Sequence, residues 1–246
     1  MSFLVHHGVK GMHWGVRRYQ NYDGTRIGGS KNRIIDKGAS SSDFTIRKGT
    51  TAYRVAGEKE SYTDHKRKYM SVTDEDRELY GYGDMTSLLN YDTSNGGFGE
   101  YTSEFIKDAR VAKGEKIVED LIDKYGDVSI QEAYLIDKET RSKFANREDR
   151  SDYLNDEDYG WDDVDEYDDW TKVDNWSRDT AAWEKTRNFV WNTMETKGDT
   201  ILEDYKREGY DAIIDPYDYI ANVADMPLIV IDPAVSIKNK SYRKLG

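Results

Sequence analysis

Three places in this 246-residue chain hold residues whose types and spacing could do chemistry. In HHGVKGMHWGVRRYQNYDGT (6–25), Lys10, Arg17 and Arg18 surround Trp14 and Tyr19 on a backbone hinged by glycines. Three of the four histidines lie there (His6, His7 and His13), but with no acid or cysteine beside them they make a poor metal site. The second place, REDRSDYLNDEDYGWDDVDEYDDW (147–170), interleaves Tyr153, Tyr159, Trp161, Tyr167 and Trp170 with carboxylates. Such a stretch can be a solvated acidic loop, or can imitate nucleic-acid phosphates and dock on a basic protein. Taken as a calcium loop from Asn155, it sets Gly160 sixth and Glu166 twelfth, but Tyr159 occupies a ligand position and Asn155 replaces the usual leading Asp. The third place is spread over the body: KGTTAYRV (48–55), KYMSVTDEDRELYGY (68–82), EGYDAIIDPYD (208–218) and PLIVIDPAVSIK (227–238).

Other chemistries are excluded by composition or motif. The chain has no cysteine, so disulfides, thiolate nucleophiles and Cys-ligated zinc or iron–sulfur centres are out. It carries no P-loop, no GxGxxG after a strand and no HExxH. A Ser–His pair would need His65, and nothing around that residue suggests a triad. No apolar run approaches the ~18–20 residues of a membrane span, and the opening residues are too short for a signal-peptide core. A soluble protein with no membrane partner and no specific nucleic-acid partner is expected, working in a cell or in a particle assembled there.

The charges divide the chain. Overall it has 36 basic and 48 acidic side chains, a net −12, with 37 % hydrophobic and 13 % aromatic residues. That aromatic content argues for a folded core despite the polarity. Residues 1–54 hold ten Lys and Arg against three acids, whereas 148–169 hold twelve acids against one Arg. The pattern predicts a flexible basic arm and linker over 1–42, a domain over 43–240 with an acidic insertion at 147–170, and a tail at 241–246.

The elements that must position these groups read as mixed strands and helices without a βαβ rhythm, hence an α+β fold. A turn is predicted at Lys48-Gly49, followed by a strand through Tyr53, Arg54 and Val55. KYMSVT (68–73) alternates Tyr69, Ser71 and Thr73 with Met70 and Val72, as a strand does, and the acids after Thr73 suit a capped helix start. After the glycine-rich SNGGFGE (94–100), YTSEFIKDARV (101–111) reads as one strand. GEKIVEDLIDKYGD (114–127) is an amphipathic helix ending at Gly126, while VSIQEAYLID (128–137) suits strand or helix. A helix is predicted over 179–195 behind Asp179 as N-cap, with Trp183, Val190, Trp191 and Met194 as its core stripe. It continues over 200–208, and YDAIID (210–215) and PLIVID (227–232) read as buried strands.

Two resemblances attach to these strings. The N-terminal string resembles a short tag, HHG-[IV]-KGM-x-WGVRR-[YF]-Q, carried by many proteins of tailed phages and prophages of Gram-positive bacteria. It implies a virion-structural, morphogenetic or co-packaged protein, a phage capsid or assembly partner for residues 6–25, and a place in the host cytoplasm or the virion. The body over 44–82 and 199–240 resembles phage-encoded domains of the ADP-ribosyltransferase type. This implies a split mixed sheet with flanking helices, NAD as the bound nucleotide and a host protein as target. By the same resemblance Arg54 grips the phosphates or a ribose, and Ser71 and Thr73 line the nicotinamide site with Tyr80 beyond them. A late carboxylate, Asp215 with Asp218 in reserve, bonds the ribose and offsets the positive charge that develops as the nicotinamide bond breaks. The chain departs from the family in lacking the late Glu spaced by one residue from another Glu or Gln; Gln131 and Glu132 are adjacent. An NAD-dependent enzyme and an inert domain used for assembly, or for antagonising host defence through the acidic surface, are both open.

Overall fold

The late apolar triplets form the centre of the molecule, because strands buried on both faces need continuous rather than alternating hydrophobicity. A computed structural model of the chain describes residues 34–36, 41–57, 68–73, 76–77, 98–144, 147–155, 171–224 and 226–244. Its strands are β1 (Ile34–Asp36), β2 (Asp43–Ile46), β3 (Thr51–Gly57), β4 (Lys68–Met70), β5 (Phe98–Phe105), β6 (Ala109–Ala112), β7 (Ala212–Ile214), β8 (Leu228–Val230) and β9 (Ile237–Lys244). Its helices are α1 (Gly114–Tyr125), α2 (Val128–Lys143), α3 (Arg147–Asn155), α4 (Thr171–Arg207), α5 (Pro216–Ile220) and α6 (Pro233–Ser236). The class is α+β, with two sheets.

The larger sheet has the order β1-β2-β6-β7-β8-β4 and is mixed, since β6 and β7 run parallel and the other neighbours antiparallel. The smaller is antiparallel, β3-β5-β9. Each small-sheet strand continues a large-sheet strand around a corner: β2 into β3 over 47–50, β5 into β6 over 106–108, and β8 through α6 into β9. The first corner needs Gly49, whose φ of 86° lies in the left-handed region. Two corners are stitched together, with the Gly49 N–H donating to the Phe105 carbonyl at 2.8 Å and the Phe105 N–H to that of Thr50 at 2.9 Å. The third joins them through the Ile106 N–H and the Ser236 carbonyl at 3.0 Å. The stretch 101–111, read as one strand, is therefore two strands in different sheets.

Ile117, Val118, Leu121 and Ile122 of α1 bury one stripe against the large sheet, as their spacing predicts. The ambiguous 128–137 is helical: the Asp127 carboxylate caps α2 by accepting from the Ile130 N–H at 2.9 Å. Helix α4 runs 37 residues, so its start differs from the expected one. Asp179 is no N-cap; it lies buried inside the helix, where Lys143, Arg178 and Tyr153 donate to it at 3.2, 2.8 and 3.1 Å. Those donors from α2, α3 and its own helix let a carboxylate sit mid-helix and indoors.

The boundaries differ as well. β1 lies in the stretch expected to be linker, yet pairs antiparallel with β2 and packs Ile34 against the core. β9 takes in most of the expected tail. The first third of the acidic stretch is α3, which is no solvated loop. Arg150 and Leu154 are buried, the Arg150 guanidinium donates to the Ile220 carbonyl at 3.2 Å, and the Trp176 indole N–H donates to the Tyr153 carbonyl at 2.9 Å. Residues 1–33 and 156–170, with the tag and most of the calcium-loop spacing, lie outside the described residues. Among the described residues no helix is long and apolar enough to cross a membrane, and no group of three or more His, Asp or Glu could hold a metal ion.

Candidate functional site

A wedge opens where the two sheets diverge. β3 leaves the corner beside β5, and its Tyr53 bridges back to Ser71, just after the edge strand β4, through two backbone hydrogen bonds of 2.8 Å. The wedge is roofed by the C-terminal half of α4 and by α5, and encloses a cleft of about 420 Å³. Arg54 and Ser71 enter it from the sheet side, and Asp215 and Asp218 from the α5 side. Four of the six residues singled out in the sequence thus meet, from segments up to 164 positions apart. Thr73 is not among the lining residues: its hydroxyl accepts from the Asp76 N–H at 3.1 Å, the capping role that the acids after it foreshadow. Tyr80 lies outside the described residues.

Asp215 has a local reason for its place. It follows β7 directly and is the N-cap of α5, accepting from the Tyr217 N–H at 2.9 Å, with Pro216 at the first helical position. On the rear of α5, Tyr219 stands against Gly114, where a Cβ would overlap its ring, and under the Arg141 guanidinium 5.1 Å from the ring centroid. A buried charge cluster supports this face. Arg141 is 2.8 Å from the fully buried Asp137, yet burial outweighs that attraction and holds the Asp137 carboxyl above its ordinary range. Burial, with repulsion from Arg141, pushes Arg150 down to about 10. Trp183 and Arg150 both donate to the Ile220 carbonyl at the end of α5.

The sheet side is organised by Glu100, which is buried on β5 next to the cleft. It accepts a bidentate contact from Arg77 at 2.6 and 2.8 Å and a third, longer one from Arg243 of β9 at 3.3 Å. Arg77 is also stacked over the Tyr53 ring at 4.2 Å. The approach of β9 needs Gly99, since a Cβ there would lie 2.5 Å from the Arg243 carbonyl oxygen and from the Tyr242 ring. Tyr69, 45 % exposed, stands on one side of the mouth. On the other stand Trp191, 48 % exposed, and Tyr217, edge to face with ring centroids 4.7 Å apart.

Sequence reasoning missed Glu100, Arg77, Trp191, Glu195 and Tyr217. Glu100 closes a glycine-rich string that reads as a loop, and only its pairing with β3 and β9 reveals a strand. Trp191 has a signal that was there to use. At about 100° per residue, Val190 and Met194 fall within about 20° of Trp183 on the helix, but Trp191 falls about 80° round. It is therefore on the flank and not in the core stripe.

The arrangement is a cleft with an aromatic mouth, with Arg54 and the Arg77–Glu100 pair on the sheet side and Glu195, Asp215 and Asp218 on the helix side. It can receive a flat, partly anionic ligand and place a carboxylate beside it. Among comparisons with known proteins, the model of a family of unknown function, DUF7211, matches residues 1–21. No curated protein and no solved structure matches the chain.

Proposed function

We propose that this cleft binds NAD and transfers its ADP-ribose to a host protein, on a phage-encoded chain whose first residues address it to a phage particle. The observation that carries the reading is the meeting of Arg54, Ser71, Asp215 and Asp218 in one cleft. The lining fits the ligand. A volume of about 420 Å³ lies within the range of small-molecule sites, roughly 300–1,000 Å³, and the Tyr and Trp walls suit a flat ring. The split between a six-stranded mixed sheet and a three-stranded one also supports an ADP-ribosyltransferase-like domain.

In this reading Arg54 makes the planar, two-pronged contact to the anionic part of NAD. Nicotinamide leaves with the electrons of its bond to ribose, a nucleophile of the target forms the new bond to that carbon, and the nucleophile's proton passes to solvent. Asp215, held by its capping bond, offers a fixed negative charge to the ribose as that bond breaks.

Isothermal calorimetry with NAD and a nicotinamide-release assay test the reading. Arg54→Lys should lose both binding and turnover, because a point-like ammonium cannot make the fork contact. Asp215→Asn should keep affinity near normal and cut turnover, since the amide still caps α5 and bonds the ribose but carries no charge. Asp218→Asn, assayed beside it, decides between the two carboxylates. Absence of NAD binding by the intact protein sinks the enzymatic reading. The second reading, a non-catalytic assembly factor or defence antagonist that docks a basic partner through 147–170, then stands; a family match confined to residues 1–21 supports treating the head as a unit of its own.

A further inference from the structure

We infer that the ridge formed by the three corners is a docking surface for the acidic stretch 156–170 of a second copy of this chain; the inference does not depend on what the cleft binds. Arg47 and Lys48 stand exposed on the first corner, Ile106 and Lys107 on the second, and Val235 and Lys238 on or just past the third, and none of them lines the cleft. The hydrogen bonds between the corners hold them as neighbouring strands, about 5 Å apart, so these side chains spring from a patch about 10 Å across. Its cations differ from others on this chain. Arg110, Lys116, Lys124, Lys138 and Lys206 each hold a carboxylate at 2.5–3.1 Å, and Lys107 holds Asp211. Arg47, Lys48 and Lys238 make no ion pair among the described residues, although acids outnumber bases by twelve. Ile106 and Val235, 39 % and 52 % exposed, add aliphatic surface among them. Such a ridge suits a partner that alternates carboxylates with large rings. Residues 156–170 hold nine acids and no base, with Tyr159, Trp161, Tyr167 and Trp170 between them.

The stretch cannot reach the ridge of its own chain. It leaves α3 at Asn155 and enters α4 at Thr171, and the Trp176–Tyr153 hydrogen bond holds both ends near the start of α4. The ridge lies at the other end of that helix. There the Lys206 ammonium is 3.1 Å from Asp232, just ahead of α6, and Arg110 donates to the Glu208 carbonyl at 3.0 Å. From Trp176 to Lys206 the helix rises about 45 Å, at about 1.5 Å per residue. Fifteen residues that must go out and return reach about 27 Å at most. The contact is therefore made between copies. Two copies laid antiparallel along α4 bring each stretch to the other's ridge, and both contacts form at once in a two-fold dimer. The interface is small and wet, so the dimer is weak and dissociates on dilution.

Sedimentation velocity of the full chain over a concentration series tests this. The parent should pass from monomer to dimer as concentration rises. Raising sodium chloride from about 0.15 to about 1 M shortens the screening length from about 8 to about 3 Å and should weaken the dimer at least about tenfold. The double variant Lys48→Glu with Lys238→Glu should stay monomeric, and so should the chain lacking 156–169; circular dichroism verifies that both fold. Mixed, the two variants supply one intact ridge and one intact stretch. They should form a heterodimer, weaker than the parent dimer because only one of the two contacts is made. A parent that is monomeric at every concentration, a dimer that survives in either variant or in high salt, or a mixture that does not associate overturns the inference. A monomeric parent that sediments with phosphatidylserine vesicles assigns the ridge to a membrane and overturns it as well.

Discussion

Glu100→Gln removes one negative charge that two guanidinium groups share and changes almost nothing in shape. The carboxylate side chain is 3 % exposed, that of Arg77 27 % and that of Arg243 53 %. Breaking a buried pair costs about 3–5 kcal/mol when the survivor stays dry. Here both survivors can rehydrate, and the Arg243 contact at 3.3 Å resembles an exposed pair worth ~1 kcal/mol or less. The bidentate Arg77 contact therefore dominates, and a loss of about 2 kcal/mol is expected. For a chain of this size that is a fall of about 4–8 °C in Tm. Urea unfolding of Glu100→Gln, Arg77→Ala, Arg243→Ala and the double variants gives the coupling energies. Glu100–Arg77 should couple by about 1–2 kcal/mol and Glu100–Arg243 by less than about 0.5 kcal/mol. A Glu100→Gln protein as stable as the parent, or a larger coupling to Arg243 than to Arg77, refutes the argument from burial and geometry.

Gly114→Ala should lower Tm although alanine is the better helix former by about 1 kcal/mol, because its Cβ would overlap the half-buried Tyr219 ring, an overpacking cost of about 1–3 kcal/mol; an unchanged or higher Tm counts against the close approach. The two buried aspartates near α5 should respond to pH with opposite sign. Burial pushes the Asp179 carboxyl up, but hydrogen bonds from Arg178, Lys143 and Thr140 hold it below its ordinary range. Its contribution is therefore present above the unfolded pKa of about 3.9 and lost as pH falls through the folded value. Asp137, raised by burial, contributes below about 3.9 and loses that as pH rises through its folded value. Denaturation at a series of pH values should thus show the parent's advantage over Asp179→Asn growing with pH, and its advantage over Asp137→Asn shrinking; parallel slopes would refute the assignment. Deleting 156–169 should leave Tm near that of the parent, whereas deleting 148–169 also removes the buried Leu154 and Arg150 and should cost at least about 2 kcal/mol; equal Tm values would return α3 to the loop.

What was legible followed from burial and from residue type. The triplets Ala212–Ile214 and Leu228–Val230 announce themselves because a strand covered on both faces tolerates only apolar side chains. Arg54, Ser71, Asp215 and Asp218 were singled out by the resemblance of the strings around them, and burial and spacing alone do not mark them. The corner at Lys48-Gly49 was legible as a turn, but the one at 106–108 was not: Ile106, Lys107 and Asp108 carry neither glycine nor proline, and the Asp108 carboxylate accepts from the Lys48 N–H at 2.8 Å across sixty residues. The start of α4 was hidden by Asp179, whose residue type mimics a cap while its partners come from α2 and α3. Glu100 and Arg77 needed the register of three strands, which no local pattern contains.

The row of three corners has a mechanical consequence. Each strand of the small sheet is covalently the extension of a strand of the large one, so backbone ties the sheets at three adjacent corners, and the Tyr53–Ser71 bridge ties β3 to the end of β4 as well. Opening the jaw would mean bending all three corners at once and breaking the hydrogen bonds that join them and those between Tyr53 and Ser71. Ligands must therefore enter past side chains at the rim, on a frame that does not yield. Such a frame also separates two kinds of mutation. Changes at the corners alter the jaw, while changes at Tyr69, Trp191 or Glu195 alter what the jaw accepts and leave its angle alone. Drift at the rim can thus retarget the cleft from one partner to another without renegotiating the fold.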